Sequence, residues 1–212
     1  MTRALALVLA CALAQGCAAR DAPAAAATTC ERVQVALAPG LTPEIVRRDW
    51  AGGETHAQAN AVLELRGCAG ELLDRLELAA PLAMLDPTPL RGTVAPTWLV
   101  SADLTAPAGS YSGPLTLPIE AVAHHLHPAA ARDADGHDAP IQLAATGKSA
   151  WKRARVGPVD DLLEVGSAPR DGAFVTRYRR YHLGPHGWTL HARQQAGLWE
   201  SDAEFPPASA FP

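Results

Sequence analysis

The sequence lacks a basic excess, a long apolar run and any compact catalytic signature, and each lack narrows what the chain does. Its 18 Lys and Arg stand against 22 Asp and Glu, a formal charge of −4. No global positive field therefore exists to gather DNA or RNA, and nucleic acid is not expected as a partner. The apolar run at residues 4–14 has 11 residues; as a helix it rises about 16 Å against a hydrocarbon core of roughly 30 Å, too short for a permanent span. There is no phosphate-cradling glycine loop, zinc-protease helix motif or dinucleotide fingerprint, and no internal repeat at a period of about 20–50 residues. No cofactor is implied. With charged residues at 19% and hydrophobic ones at 48%, the balance supports a folded core rather than wholesale disorder.

What is present begins at the N-terminus. Arg3 supplies a short positive start, the apolar run follows, and Gln15-Gly16 precede Cys17. Residues 18–29 (AARDAPAAAATT) are small, polar or proline-bearing, the composition of a flexible tether. The first seventeen residues resemble a bacterial lipoprotein signal, whose lipobox ends in a small residue followed by the modified cysteine. Here that stretch is Ala14-Gln15-Gly16-Cys17, with Ala14 where the family usually carries Leu and Leu13 one place earlier. The resemblance implies cleavage before Cys17, diacylglycerol on its thiol and N-acylation. The chain would then be anchored by its N-terminal lipid in a bacterial cell envelope, facing the periplasm. Ala18 after the cysteine, rather than Asp, implies the outer membrane in the enteric pattern. The departure at Ala14 keeps ordinary cleavage without lipid open.

On this reading the chain divides into a signal peptide (1–16), a lipidated cysteine and tether (17–29), a single β-rich domain (30–198) and an extended C-terminal tail (199–212). Cys11 leaves with the signal. Cys30 and Cys68 remain, 38 positions apart, and an exported pair favours a disulfide over a metal site. Such a bridge would restrict the unfolded chain by about 4 kcal/mol in the loop-entropy model. The 17 Gly and 18 Pro punctuate the domain into short elements. Alternating or β-type runs predict strands at residues 31–37, 61–66, 72–78, 98–104, 113–123, 140–144, 161–165, 174–182 and 188–193. Residues 183–187 are expected as a five-residue hairpin connection. Residues 85–96, with Pro87, Pro89 and Pro96, form a connector. Thr42-Pro43-Glu44 opens a short helix through about Trp50. The expected fold is mainly β: an antiparallel sheet, sandwich or open barrel with one or two short helices.

Three constellations could carry chemistry. Arg177, Arg179 and Tyr181 share one face of a strand, with Trp188, His191 and Arg193 across the hairpin; guanidinium groups beside an aromatic ring suit a phosphate, lipid headgroup or acidic sugar. The opposing reading is a solvated sheet face whose arginines pair with acids such as Glu164. His125 and His127 are weaker metal candidates, near Asp133, Asp135, His137 and Asp138; Asp133-Ala134-Asp135-Gly136 reads more simply as a turn in a solvated hairpin and misses calcium-loop spacing. In Gly109-Ser110-Tyr111-Ser112-Gly113, tyrosine occupies the place a nucleophile elbow gives to serine, and Pro114 follows, so a turn is the better reading. Asp160-Asp161 and Glu200, Asp202 and Glu204 supply carboxylates whose separation no sequence spacing fixes. The function expected is a noncatalytic binding or assembly module for an envelope protein, anionic glycan or lipid. The alternative is an envelope hydrolase whose carboxylates or histidines converge only in space. Intact mass of the mature protein tests the address: it should equal residues 17–212 plus diacylglycerol and an acyl chain, and an unmodified N-terminus would leave a soluble exported protein.

Overall fold

The computed structural model describes residues 34–38, 60–67, 69–78, 80, 82–103 and 113–212. The expected helix near residue 42, all four cysteines and Gly109 to Ser112 lie outside the described residues. The described chain is mainly β, in three sheets, and its one helical element is a single 3-10 turn, Ala208–Ala210. The first sheet is an antiparallel meander of β1 (Gln34–Ala38), β2 (Val62–Arg66) and β3 (Leu72–Glu77). The second runs in the order β10 (Leu143–Ala144), β6 (Pro114–Val122), β5 (Thr97–Asp103), β4 (Ala83–Leu85), with β7 (His125–Pro128) also on β6. The third is ordered β11 (Ser149–Val156), β12 (Val159–Arg170), β13 (Ala173–Gly184), β14 (Gly187–Ala196), β8 (Ala130–Arg132), β9 (Asp138–Pro140). Within the third sheet, the β14–β8 pairing alone is parallel.

Layering follows from which faces are apolar. Ala61, Leu63, Leu65 and Leu78 of the first sheet pack with Val100, Ile119 and Leu126 of the second. Leu99, Ile141 and Leu143 meet Leu162, Tyr181, Leu183 and Trp188 of the third sheet in another cluster. The middle sheet is therefore covered on both faces. That explains β5, where Trp98, Val100 and Ala102 take one side yet Leu99 between them is also buried. The connector at residues 86–96 crosses close over β12: Leu90 joins the second cluster, and a Cβ on Gly92, whose φ is +85°, would lie 2.4 Å from Val159 Cγ1. Trp188 Nε1 donates to Glu120 Oε1 at 3.2 Å and ties the third sheet to the second.

Several expectations need correction. The connection at residues 183–187 is a two-residue turn, Pro185-His186, because Leu183 pairs with Trp188 and Gly184 with Gly187. The strand expected at 140–144 is two short strands in different sheets, β9 and β10, since the chain crosses between layers at Ile141. Strand β11 was not anticipated. Six of its eight residues, SAWKRARV, are basic or small, but the two-residue turn Gly157-Pro158 brings it antiparallel to β12, with Arg153 within reach of Asp160.

The outer face of the third sheet is covered by residues from the chain's last fourteen positions. Phe205 and Phe211 stack at 5.6 Å, Phe211 meets Tyr178 edge-on at 5.7 Å, and both join Leu163, Val165 and Trp199 in a third cluster. Arg193 Nε donates to the Ala210 carbonyl at 2.6 Å and Trp199 N to Ser167 Oγ at 2.8 Å, fastening the segment at two places. Phe211 is buried, so Phe211→Ala should lower unfolding stability by about 3 kcal/mol in denaturant titration; a change below about 0.5 kcal/mol would show that the packing contributes nothing.

Candidate functional site

Strand β12 puts three carboxylates inside the protein, and the neighbouring elements supply their partners. Asp160, Asp161 and Glu164 are all buried. Asp160 accepts from Arg153 Nε at 2.8 Å and from the Arg91 amide at 2.8 Å. Burial opposes its charged form, yet Arg153 and the Arg91 amide outweigh it and hold the carboxyl below the usual range. Asp161 accepts from Arg180 Nε at 2.7 Å and is 2.9 Å from His182 Nδ1. Glu164 accepts from Arg179 Nη1 at 2.9 Å and from Tyr181 OH at 3.4 Å. In the first sheet Glu64 is likewise buried, between Arg75, which lowers its pKa most, and Arg66. A glycosidase needs an acid and a base free to exchange protons; these carboxylates are each held by arginine, and Glu200, Asp202 and Glu204 are exposed in the tail.

Period-two alternation splits the Arg/Tyr hairpin. Arg177, Arg179 and Tyr181 lie on the face turned toward the second sheet; Tyr178, Arg180 and His182 lie on the other. Tyr181 is buried in the inter-sheet core, and burial together with the Glu164 charge pushes its phenol up to about 12. Arg179 is part-buried; desolvation works against its charge, but Glu164 outweighs it and the guanidinium pKa is raised. Arg177 is exposed, and its guanidinium makes no hydrogen bond or ion pair with any described residue. Arg193 does not join this group. It lies on the opposite face, 4.4 Å from the Tyr178 ring centroid, and holds the C-terminal segment.

Beside Arg177 is a cleft of about 150 Å³ lined by Ser149, Glu164, Gly166, Arg177 and Arg179, with Ser167 and Ala168 at its end. Gly166 forms its floor in ordinary strand backbone. A Cβ there would come 3.3 Å from Ser149 Cβ, a tight approach to β11, so the glycine answers to close packing rather than to a special conformation. On the far side of Arg179 a groove of about 230 Å³ continues past Tyr181, Leu190, Gln142 and Asp133.

The histidines are placed elsewhere. His125 and His127 stand exposed on β7 with ring centroids 6.2 Å apart, and His125 Nδ1 is 3.6 Å from Asp74 Oδ2. Asp133, Asp135 and His137 bring their ligand atoms within 4.8 Å of one another. Asp133 Oδ1, however, already accepts the amides of Asp135 and His137, at 2.9 Å each, as a turn requires. Compared with known protein families, curated proteins and solved structures, the chain matches none.

The two arginines of the cleft should behave differently on substitution. Arg179→Ala strands the buried Glu164 charge and should cost about 3 kcal/mol, whereas Arg177→Ala should stay within about 0.5 kcal/mol of the parent. Equal losses in thermal unfolding would contradict this division.

Proposed function

We propose that this chain is a noncatalytic binding module of a bacterial envelope, anchored through lipid on Cys17, and that its cleft takes a carboxylate of an acidic glycan. The observation that carries the reading is Arg177: an unpaired guanidinium at the mouth of a narrow cleft floored by Gly166. A planar carboxylate matches the guanidinium fork of Arg177, while the charge of the part-buried Arg179 beside it is balanced by Glu164. A lipid surface fits less well, because headgroup attraction depends on several cations on one face, and this cleft offers one free arginine on an acidic chain. The lipoprotein-like segment supports the address, since a tethered module would work beside envelope polymers.

The test is retention of the mature protein on an acidic polysaccharide compared with the same polymer after reduction of its carboxyl groups. Retention should be lost on the reduced polymer, and Arg177→Ala should weaken binding at least tenfold, about 1.4 kcal/mol, at unchanged melting temperature. Equal binding to both polymers, or turnover of the polymer, would sink the reading.

A further inference from the structure

The cleft beside Arg177 adjoins a second space that a bound carboxylate does not fill. Arg179 lines both, with the cleft on one side and the groove of about 230 Å³ on the other. Arg177 in the cleft and Tyr181 in the groove are four residues apart on β13, about 13 Å along an extended strand. Two linked sugar rings span such a distance. Pro140 and Leu190 give the groove an apolar wall, and Gln142 and Asp133 supply its polar points. The Gln142 side chain is exposed, and its amide has no hydrogen-bond partner among the described residues. Asp133 Oδ1 is spent on the Asp135 and His137 amides. Its Oδ2 accepts no hydrogen bond from a described residue, and His137 Nδ1 stands 3.8 Å from it. The His137 amide is the largest of the influences that hold this carboxyl below its usual range, so the group only accepts.

The charges decide what the groove can hold. Arg179 is balanced by Glu164 at 2.9 Å, and Arg132, next to Asp133 in the chain, by Asp138 at 2.9 Å. Asp133 is left over, and Asp135 brings a second carboxylate within 4.8 Å of it. The cleft therefore presents a free cation and the groove a free anion. A carboxylate seated in the groove would face Asp133 with no arginine to offset it. We propose that the groove is a second subsite for one uncharged pyranose joined to the acidic one, so that the chain selects glycans in which acidic and neutral sugars are neighbours over polymers of uronic acid alone. This selection rests on the carboxylate reading of the cleft. The neutral ring lays its C–H face on Pro140 and Leu190 and donates a hydroxyl proton to Asp133 Oδ2. Gln142, which both donates and accepts, takes a further hydroxyl.

The test keeps ring and linkage constant. Polygalacturonate is compared with the same polymer half methyl-esterified, at equal free carboxylate and about 0.15 M salt. The half-esterified polymer should bind the mature protein roughly fivefold tighter. The preference should hold at about pH 7 and about pH 8 alike, since it does not draw on the His137 ring. Asp133→Asn keeps an oxygen for the turn amides but removes the charge, and should erase the preference. Asp202→Asn removes an exposed acid from the C-terminal tail and should leave the preference intact. Gln142→Ala should weaken the half-esterified polymer roughly fivefold at unchanged melting temperature, and it decides the matter should Asp133→Asn unfold. Equal binding of the two polymers, lost for both in Arg177→Ala, overturns the second subsite and leaves the carboxylate reading standing. Binding of neither overturns both. A preference that survives Asp133→Asn, or undiminished binding in Gln142→Ala, also overturns the subsite.

Discussion

Three carboxylates sit among the buried residues of β12, and a buried charge without a partner is untenable at ordinary protein stability. The third sheet is arranged around that demand. Asp160 draws Arg153 from β11 and the Arg91 backbone from the connector; Asp161 draws Arg180 and His182 from β13; Glu164 draws Arg179 and Tyr181. Because side chains alternate faces, a one-residue slip of β13 along β12 would carry Arg179, Arg180, Tyr181 and His182 to the wrong side of their acids. The ion pairs thus act on register as much as on stability, and apolar contacts such as Leu162 with Tyr181 follow from the register they favour.

The same demand explains why the sheets stack as they do. The connector that bears Arg91 also brings Leu90 into the core and passes over β12 at Gly92. That path leads directly into β5, the strand covered on both faces. The first sheet repeats the solution on a smaller scale, with Glu64 opposite Arg75 in the β2–β3 pair and Arg66 beside it.

Once these acids are neutralised, what remains on the hairpin is informative. Of the arginines along β13, Arg179 and Arg180 are committed to buried acids, while Arg177 is left over beside a glycine-floored cleft. Across the sheet, His182 is held to Asp161 and lines a pocket with Arg180, His191 and Pro212. Structural pairing and candidate binding are thus interleaved on one strand, and they are separated by which acid stands opposite rather than by residue type.

The fold class was legible because strand periodicity is local: the alternation in residues 61–66, 72–78 and 174–182 is visible without any partner, as are the turn residues between them. Strand β11 was not, because its lysine and arginines look solvated until Asp160 is placed beside Arg153. The five-residue connection was misjudged for a similar reason, since Leu183 joins its strand by pairing with Trp188. Grouping Arg193 with Arg177 failed because its face depends on the cross-strand register with Tyr178. The sequence alone therefore determined that the chain builds alternating strands broken by glycine and proline. Tertiary structure alone decided which arginines are consumed by buried acids and which is left over, because ion pairing depends on strand order and register, and those are set by contacts between residues far apart in the chain.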